Sequence, residues 1–278
     1  GKAHVATDPP DAKVGDGQTL LIEPPKSWAT LELRELWQYR ELLYFLTWKN
    51  VLVRYKQAML GVLWAVLNPV ITMVGVTILF NKVLGVGSGS YGLPYAVFTF
   101  TGLLPWNLFA GSLSSAGASL VGNANLITKV YFPRLVIPSS AVLSTLPDFL
   151  IGFVVLVVLM AVYQVPPSWN VVFLPFFVLL ALVTALGVSL WLSALYVLYR
   201  DVQYIIPFLV QLWFFATPVF YPTSKIPTGW QSIVYNLNPM TCVIGGFRWA
   251  LLGQQAPGPV FWLSVALTLV VLATGLLS

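Results

Sequence analysis

Charge is what this sequence has least of. Charged residues make up 8% of the 278 positions, against roughly 25% in an ordinary soluble protein. The 220 residues from Met59 onward carry only eight: Lys82, Lys129, Arg134, Asp148, Arg200, Asp201, Lys225 and Arg248. A water-soluble surface is solvated by charge, so this composition excludes a soluble fold. Cysteine is nearly absent too. Cys242 stands alone, which excludes an internal disulfide and a thiolate metal cluster. The one histidine, His4, lies in the polar N-terminal stretch, so the apolar part has no imidazole for a metal site or proton relay. It offers two carboxylates, Asp148 and Asp201, and neither a Gly-x-Ser-x-Gly turn nor a Gly-x-x-x-x-Gly-Lys-Ser/Thr loop. No catalytic residue and no metal ligand set is expected, and the chain is not expected to bind and cleave ATP. Intramembrane ion-coupling groups, usual in a secondary transporter, are also lacking.

What is there is hydrocarbon. Hydrophobic residues form 58% of the chain. A membrane-crossing helix needs about 20 consecutive apolar residues. Six runs meet that need: Met59–Phe80, Pro94–Leu113, Ser139–Tyr163, Val171–Leu198, Tyr204–Tyr221 and Pro259–Ser278. The expected fold is therefore an all-α integral membrane protein with six transmembrane helices. An N-terminal amphipathic interfacial helix and re-entrant outer helices are expected to complete it. Residues 1–27 hold Asp-Pro-Pro, Gly-Asp-Gly and Pro-Pro runs and read as a flexible cytoplasmic tail. Residues 28–57 hold the interfacial helix, and residues 58–278 the six-span domain. Arg34, Arg40, Lys49, Arg54 and Lys56 before the first span, with Lys129, Arg134 and Arg200 in later loops, place the N-terminus in the cytoplasm. The last run ends without a flanking charge, so a cytoplasmic continuation is expected.

Three segments depart from plain spans. Leu31–Trp48 sets Arg34, Glu35, Gln38 and Glu41 on one side at helical spacing. Leu33, Leu36, Trp37, Leu43 and Tyr44 fall on the other, which predicts a helix lying in the cytoplasmic interface. Residues 121–138 are too polar to span and too apolar for a free linker. Asn123 and Asn125 can cap a short helix there, and Val130, Tyr131 and Phe132 are expected to form an exposed apolar knob for docking. Residues 222–258 are long for a loop, yet rich in apolar side chains such as Trp230, Tyr235, Phe247 and Trp249. Asn238 and Pro239 break the segment into short helices that re-enter the outer leaflet, which makes it a candidate lid.

Two further features carry chemistry. Asp148 follows Pro147 about ten residues into the third span, near mid-membrane at 1.5 Å per residue. With no basic partner expected at that depth, it reads as a neutral or hydrogen-bonded carboxyl tying two helices. Aromatic side chains are abundant in and around the spans: Trp106, Phe109, Trp191, Phe208, Trp213, Phe214 and Tyr221 among them. Most would serve as interfacial belts. A continuous lining would instead offer flat faces on which the C–H faces of sugar rings slide.

Several runs, in order, resemble the permease subunit of type-2 ABC exporters, and within these the polysaccharide and polyol-phosphate exporters that include the O-antigen transporters. They are RELLYFLTWKNVLVRYKQAMLGVLWAVLNP at Arg40–Pro69, GLLPWNLFAGSL at Gly102–Leu113 and NANLITKVYFPRLVIP at Asn123–Pro138. SALYVLYRDVQYIIPFLVQLWFFATPVFYP at Ser193–Pro222 and NPMTCVIGGFRWALLG at Asn238–Gly253 complete the set. The resemblance implies a homodimer with a channel between its copies, driven by two separate ABC ATPase subunits that bind the ATP and magnesium. The cargo it implies is a polyprenyl-diphosphate-linked glycan moved out through the cytoplasmic (inner) membrane, with no nucleic acid involved. It puts an ATPase-coupling helix at Asn123, Asn125, Lys129, Val130, Tyr131, Phe132, Pro133 and Arg134. Leu31–Trp48 would be a gate helix, and the outer gate would include Trp230, Tyr235, Asn238, Phe247 and Trp249. Arg34, Arg40, Lys49, Arg54 and Lys56 would draw the diphosphate headgroup to the cytoplasmic rim. Alternative cargoes are a teichoic acid or other polyol phosphate, or a small-molecule drug. A polyprenyl-linked glycosyltransferase would need clustered carboxylates at the membrane face, and these are missing.

Overall fold

In hydrocarbon every backbone polar group must find its partner within the protein, so apolar runs of this length close into helices. A computed structural model of the chain describes residues 36–56, 61–83, 93–117, 119–123, 126, 132–199, 201–221, 235, 237–254, 256, 258 and 260–276. Among the described residues every regular element is helical. They are α1 (Arg40–Lys56), α2 (Gly61–Val76), α3 (Tyr95–Gly117), α4 (Ser119–Gly122), α5 (Val136–Leu143), α6 (Leu146–Val162), α7 (Leu174–Leu198), α8 (Val202–Ala216), α9 (Pro239–Leu252) and α10 (Val260–Leu276). A wider π-type coil, Thr77–Val83, prolongs α2, and a 3-10 turn, Trp169–Phe173, leads into α7.

Four apolar helical segments are long enough to cross a bilayer: Leu63–Phe80, Tyr95–Gly117, Val136–Val162 and Trp169–Leu198. Tyr204–Ala216, Pro239–Leu252 and Phe261–Leu276 are shorter. The helix within the expected fifth span stops at Ala216, because Thr217 turns extended (ψ 138°) and Pro218 follows it. Its 13 apolar residues reach only about 20 Å, short of the ~30 Å hydrocarbon layer. The expected third span starts earlier than its apolar run, at Val136, and is split at Ser144–Thr145 just before Pro147. The tail at residues 1–27 lies outside the described residues.

α3 is apolar all round and forms the axis of the bundle. It packs against α2, α5, α6, α7, α8 and α9, and Phe98, Phe100, Leu103, Phe109 and Leu113 on it are fully buried. α7 and α10 approach closely through two glycines. A Cβ at Gly275 would lie 2.7 Å from the Gly187 carbonyl oxygen, and one at Gly187 would lie 2.9 Å from the Leu272 nitrogen. Small residues of this kind let helix backbones meet in lipid, where dispersion rather than water drives packing.

Candidate functional site

The side chains with chemistry gather at the two ends of the bundle. At one end lies α1. Its residues Leu46, Asn50 and Arg54 recur every fourth position and so share one face. That face runs along α5 and the start of α6. Leu46 packs with Phe132, Val136 and Ile137. The Asn50 amide donates to the Ser140 hydroxyl at 3.4 Å. The Arg54 guanidinium forms an ion pair with Asp148, donates to the Ser115 hydroxyl at 3.0 Å, and reaches the Ser144 carbonyl at 3.5 Å. The Tyr55 hydroxyl donates to the other carboxylate oxygen of Asp148. Burial and this bond to the carboxylate both push the Tyr55 phenol above its ordinary range, so it stays protonated as a donor.

This arrangement corrects two expectations. Asp148 does have a basic partner: Arg54, 94 residues earlier in the chain, which α1 carries alongside α5 to its level. Arg54 accordingly faces the protein rather than standing clear at the rim. Phe132 is not part of an exposed knob. It is 8% exposed, because the apolar face of α1 covers it with Leu46 and the half-buried Tyr39, Leu42 and Leu43. On α1 and the residues just before it, Leu36, Tyr39, Leu42 and Leu43 are half-buried, while Trp37 and Tyr44 are both 72% exposed. The helix thus has a protein-facing stripe and a separate aromatic face outward.

Of the other residues expected at the coupling loop, Asn123 ends α4 and donates to the Ser119 carbonyl at 2.8 Å. Pro133 is half-buried and Arg134 exposed in the turn before α5. Asn125, Lys129, Val130 and Tyr131 lie outside the described residues, as do Arg34 and Trp230. Arg40, Lys49 and Lys56 are exposed on α1, where Arg40 lies 5.7 Å from the Trp37 ring.

At the opposite end α9 is a buried helix. Asn238 caps it, accepting from the Met240 N–H at 3.0 Å, and Pro239 opens its first turn. Gly253 closes it in a left-handed conformation, φ 66°. The Asn238 amide also donates to the Thr217 hydroxyl at 2.9 Å and accepts from the Trp213 indole at 3.0 Å. Arg248 is 2% exposed. Its guanidinium donates to the carbonyls of Pro218 at 2.9 Å and Val219 at 2.6 Å, and lies 3.7 Å over the Phe98 ring. Gly102 leaves it room, since a Cβ there would stand 2.9 Å from Nη2. The carbonyls left over where α8 stops are thus collected by one buried cation. Phe247 is fully buried and meets Phe149 edge-on at 6.1 Å. Trp249 lies against Phe173 at 5.4 Å, and Tyr221 donates to the Tyr235 hydroxyl at 3.0 Å.

The aromatics proposed for a lining do not share one environment. Phe109 meets Trp106 at 5.5 Å and Trp213 at 5.1 Å, and Trp106 meets Phe214 at 5.4 Å. This is a packed wall, in which Trp106 and Phe109 are buried and present no surface to a passing chain. Phe208 is exposed on α8, in line with Tyr204 and Leu212. Trp191 sits apart on α7 and donates to Thr274 of α10 at 3.2 Å.

Sequence reasoning missed Tyr55, Ser115 and Asn50, and it set Arg248 aside. A usable signal was present. The fourfold spacing of Leu46, Asn50 and Arg54 matches that of Ser140, Ser144 and Asp148, as two facing helix ridges would. Among the described residues no group of histidine, cysteine, aspartate and glutamate could hold a metal ion.

The family described as ABC-2 type transporter matches residues 41–252, a stretch that runs from the start of α1 to the end of α9. The chain is 36% identical over 242 residues to the O-antigen export system permease protein RfbA of Myxococcus xanthus, covering 86% of this chain and 91% of that protein. To the protein of the same description in Klebsiella pneumoniae it is 35% identical over 209 residues, covering 75% and 79%. A second Klebsiella pneumoniae relative of that description is 32% identical over 212 residues.

Proposed function

The chain belongs to the ABC-2 type transporter family, and from that premise we propose that it is the permease subunit of an exporter for O-antigen-type polysaccharide. The observation that carries the reading is the match to a permease of that description over 86% of this chain and 91% of that protein. In this reading two copies of the chain join with a channel between them. A separate ATPase subunit binds ATP and magnesium and supplies the work. The cargo is a glycan carried on a polyprenyl diphosphate across the cytoplasmic membrane, with the chain's N-terminus in the cytoplasm. The chain itself contributes binding and motion and no bond-making chemistry.

The geometry supports a route for that motion. The loop before α5 is seated on the ATPase, and Phe132 at its exit is gripped by α1. A push on the loop therefore moves α5, the start of α6 and α1 together, because contacts at Leu46 and Asn50 bind α1 to α5 and the Arg54–Asp148 pair binds it to α6. Arg40, Lys49 and Lys56, exposed on α1, draw the diphosphate by charge.

Co-reconstitution in vesicles tests this. With the partner ATPase and ATP, a polyprenyl-diphosphate-linked glycan is expected to change sides, and to stop when the ATPase is made unable to hydrolyse. Movement of glycan by the permease alone, or of a small drug in place of glycan, overturns the reading.

A further inference from the structure

Beside the Arg54–Asp148 pair lies a cavity of about 650 Å³. Faces of three helices converge on it: Trp64 and Asn68 of α2, Asn107 and Ser114 of α3, and Thr145 and Gly152 around the start of α6. Arg54 and Asp148 form one end. Asn107 stands 12 residues from Tyr95 and 10 from Gly117, so the cavity reaches the middle of the longest-buried span. A volume of this size is that of a small-molecule site.

Its lining is divided. Asn68, Asn107 and Ser114 turn exposed polar side chains to it, and among the described residues none of the three makes a side-chain hydrogen bond with the protein. An amide left without a partner in hydrocarbon is costly, so these groups need water or a ligand. Apolar side chains stand beside them in the lining: Trp64, Pro69, Leu104 and Phe149. Among the described residues the only charges on the lining are Arg54 and Asp148, and they cancel each other. A phosphate would meet no uncompensated cation there and would face the Asp148 carboxylate. A cation would meet the converse. What matches is a neutral group with many hydroxyls on its edges and C–H on its faces. Each hydroxyl can both donate to and accept from an amide, and a ring face can lie on Trp64.

We infer that this cavity is a binding site for a sugar unit, a neutral polyol, held between the amides of Asn68 and Asn107 and the Trp64 ring. The inference deepens the glycan-export reading and rests on it for the natural source of the sugar. The paired charges at the mouth set the selection: headgroup phosphates stay outside on exposed basic residues, and uncharged sugar passes in.

The test uses the full chain with its partner ATPase in lipid nanodiscs, in a Cys242→Ser background that removes the native thiol. Ala110→Cys, and separately Ser114→Cys should the first fail to fold, is labelled with a water-soluble maleimide. The probes are decyl maltoside and decyl phosphate below their micelle concentrations, alike in tail and different in head. Labelling is expected to proceed without probe, to slow about tenfold at a maltoside concentration ten times its dissociation constant, and to be unchanged by decyl phosphate. Labelling indifferent to maltoside means the cavity holds water only and overturns the inference. Equal slowing by both probes means that the tail is bound, and also overturns it. So does a disulfide between two copies at the new cysteine, which makes the cavity an interface. Export of glycan is scored on the unsubstituted protein: if export stands while protection fails, only the sugar site falls. If protection stands while the cargo proves not to be a glycan, the export reading falls instead.

Discussion

Two arginines sit inside the bundle, and the protein treats them in opposite ways. Arg54 is partnered by a carboxylate from another helix, and the two side chains keep 32% and 35% of their surface exposed beside a cavity. Arg248 is 2% exposed and is held by backbone carbonyls and an aromatic face. The first pair retains access to solvent or ligand, so its partners can be exchanged at modest cost. The second has nowhere to go: losing it strands the carbonyls at the end of α8 in a dry core. One end of the molecule is therefore built from partly exposed, replaceable contacts between helices, and the other from a rivet.

The sharpest way to break that contrast is Arg248→Met. It is expected to cost about 3–5 kcal/mol, the scale of a buried charge network deprived of its centre. The readout is thermal unfolding of the purified complex. A Met variant as stable as the wild type would show that the rivet bears no load. Phe132→Ala comes next, at about 3 kcal/mol for an aromatic removed from a buried cluster. Its further expected effect is specific: the ATPase still binds and hydrolyses, but glycan transport per ATP falls. Stimulation and export that remain in proportion would remove Phe132 from the coupling route.

Asp148→Asn is expected to cost only about 1 kcal/mol, since the pair is partly exposed and the amide still accepts from Arg54. A loss as large as that of Arg248→Met would erase the distinction between the two ends. The smallest effect is a pH dependence. The Tyr55 phenol is raised above its ordinary 10.0 in the folded protein. Its contribution to stability is then complete below that ordinary value and declines as pH rises toward the folded one. Tyr55→Phe should be flatter than the wild type in unfolding midpoints measured above pH 10. Parallel curves would show that the phenol and Asp148 are not linked.

Much of the fold was legible in the residues themselves. Scarcity of charge named the solvent, since only lipid tolerates so few solvated groups. Apolar runs of sufficient length named the helices, because backbone in hydrocarbon has no other way to bond itself. Asn238 and Pro239 marked the start of α9 by cap chemistry that depends only on neighbours in the chain. Those inferences succeed because hydropathy, periodicity and capping are local. The tertiary structure decided what no local rule contains: that Arg54 meets Asp148 across 94 residues, that Phe132 is covered by α1, that Phe109 is walled in while Phe208 is exposed, and that α8 stops short. Each depends on which helix faces approach and how closely. That is set by small residues such as Gly102, Gly187 and Gly275, whose meaning appears only once the partner backbone is beside them.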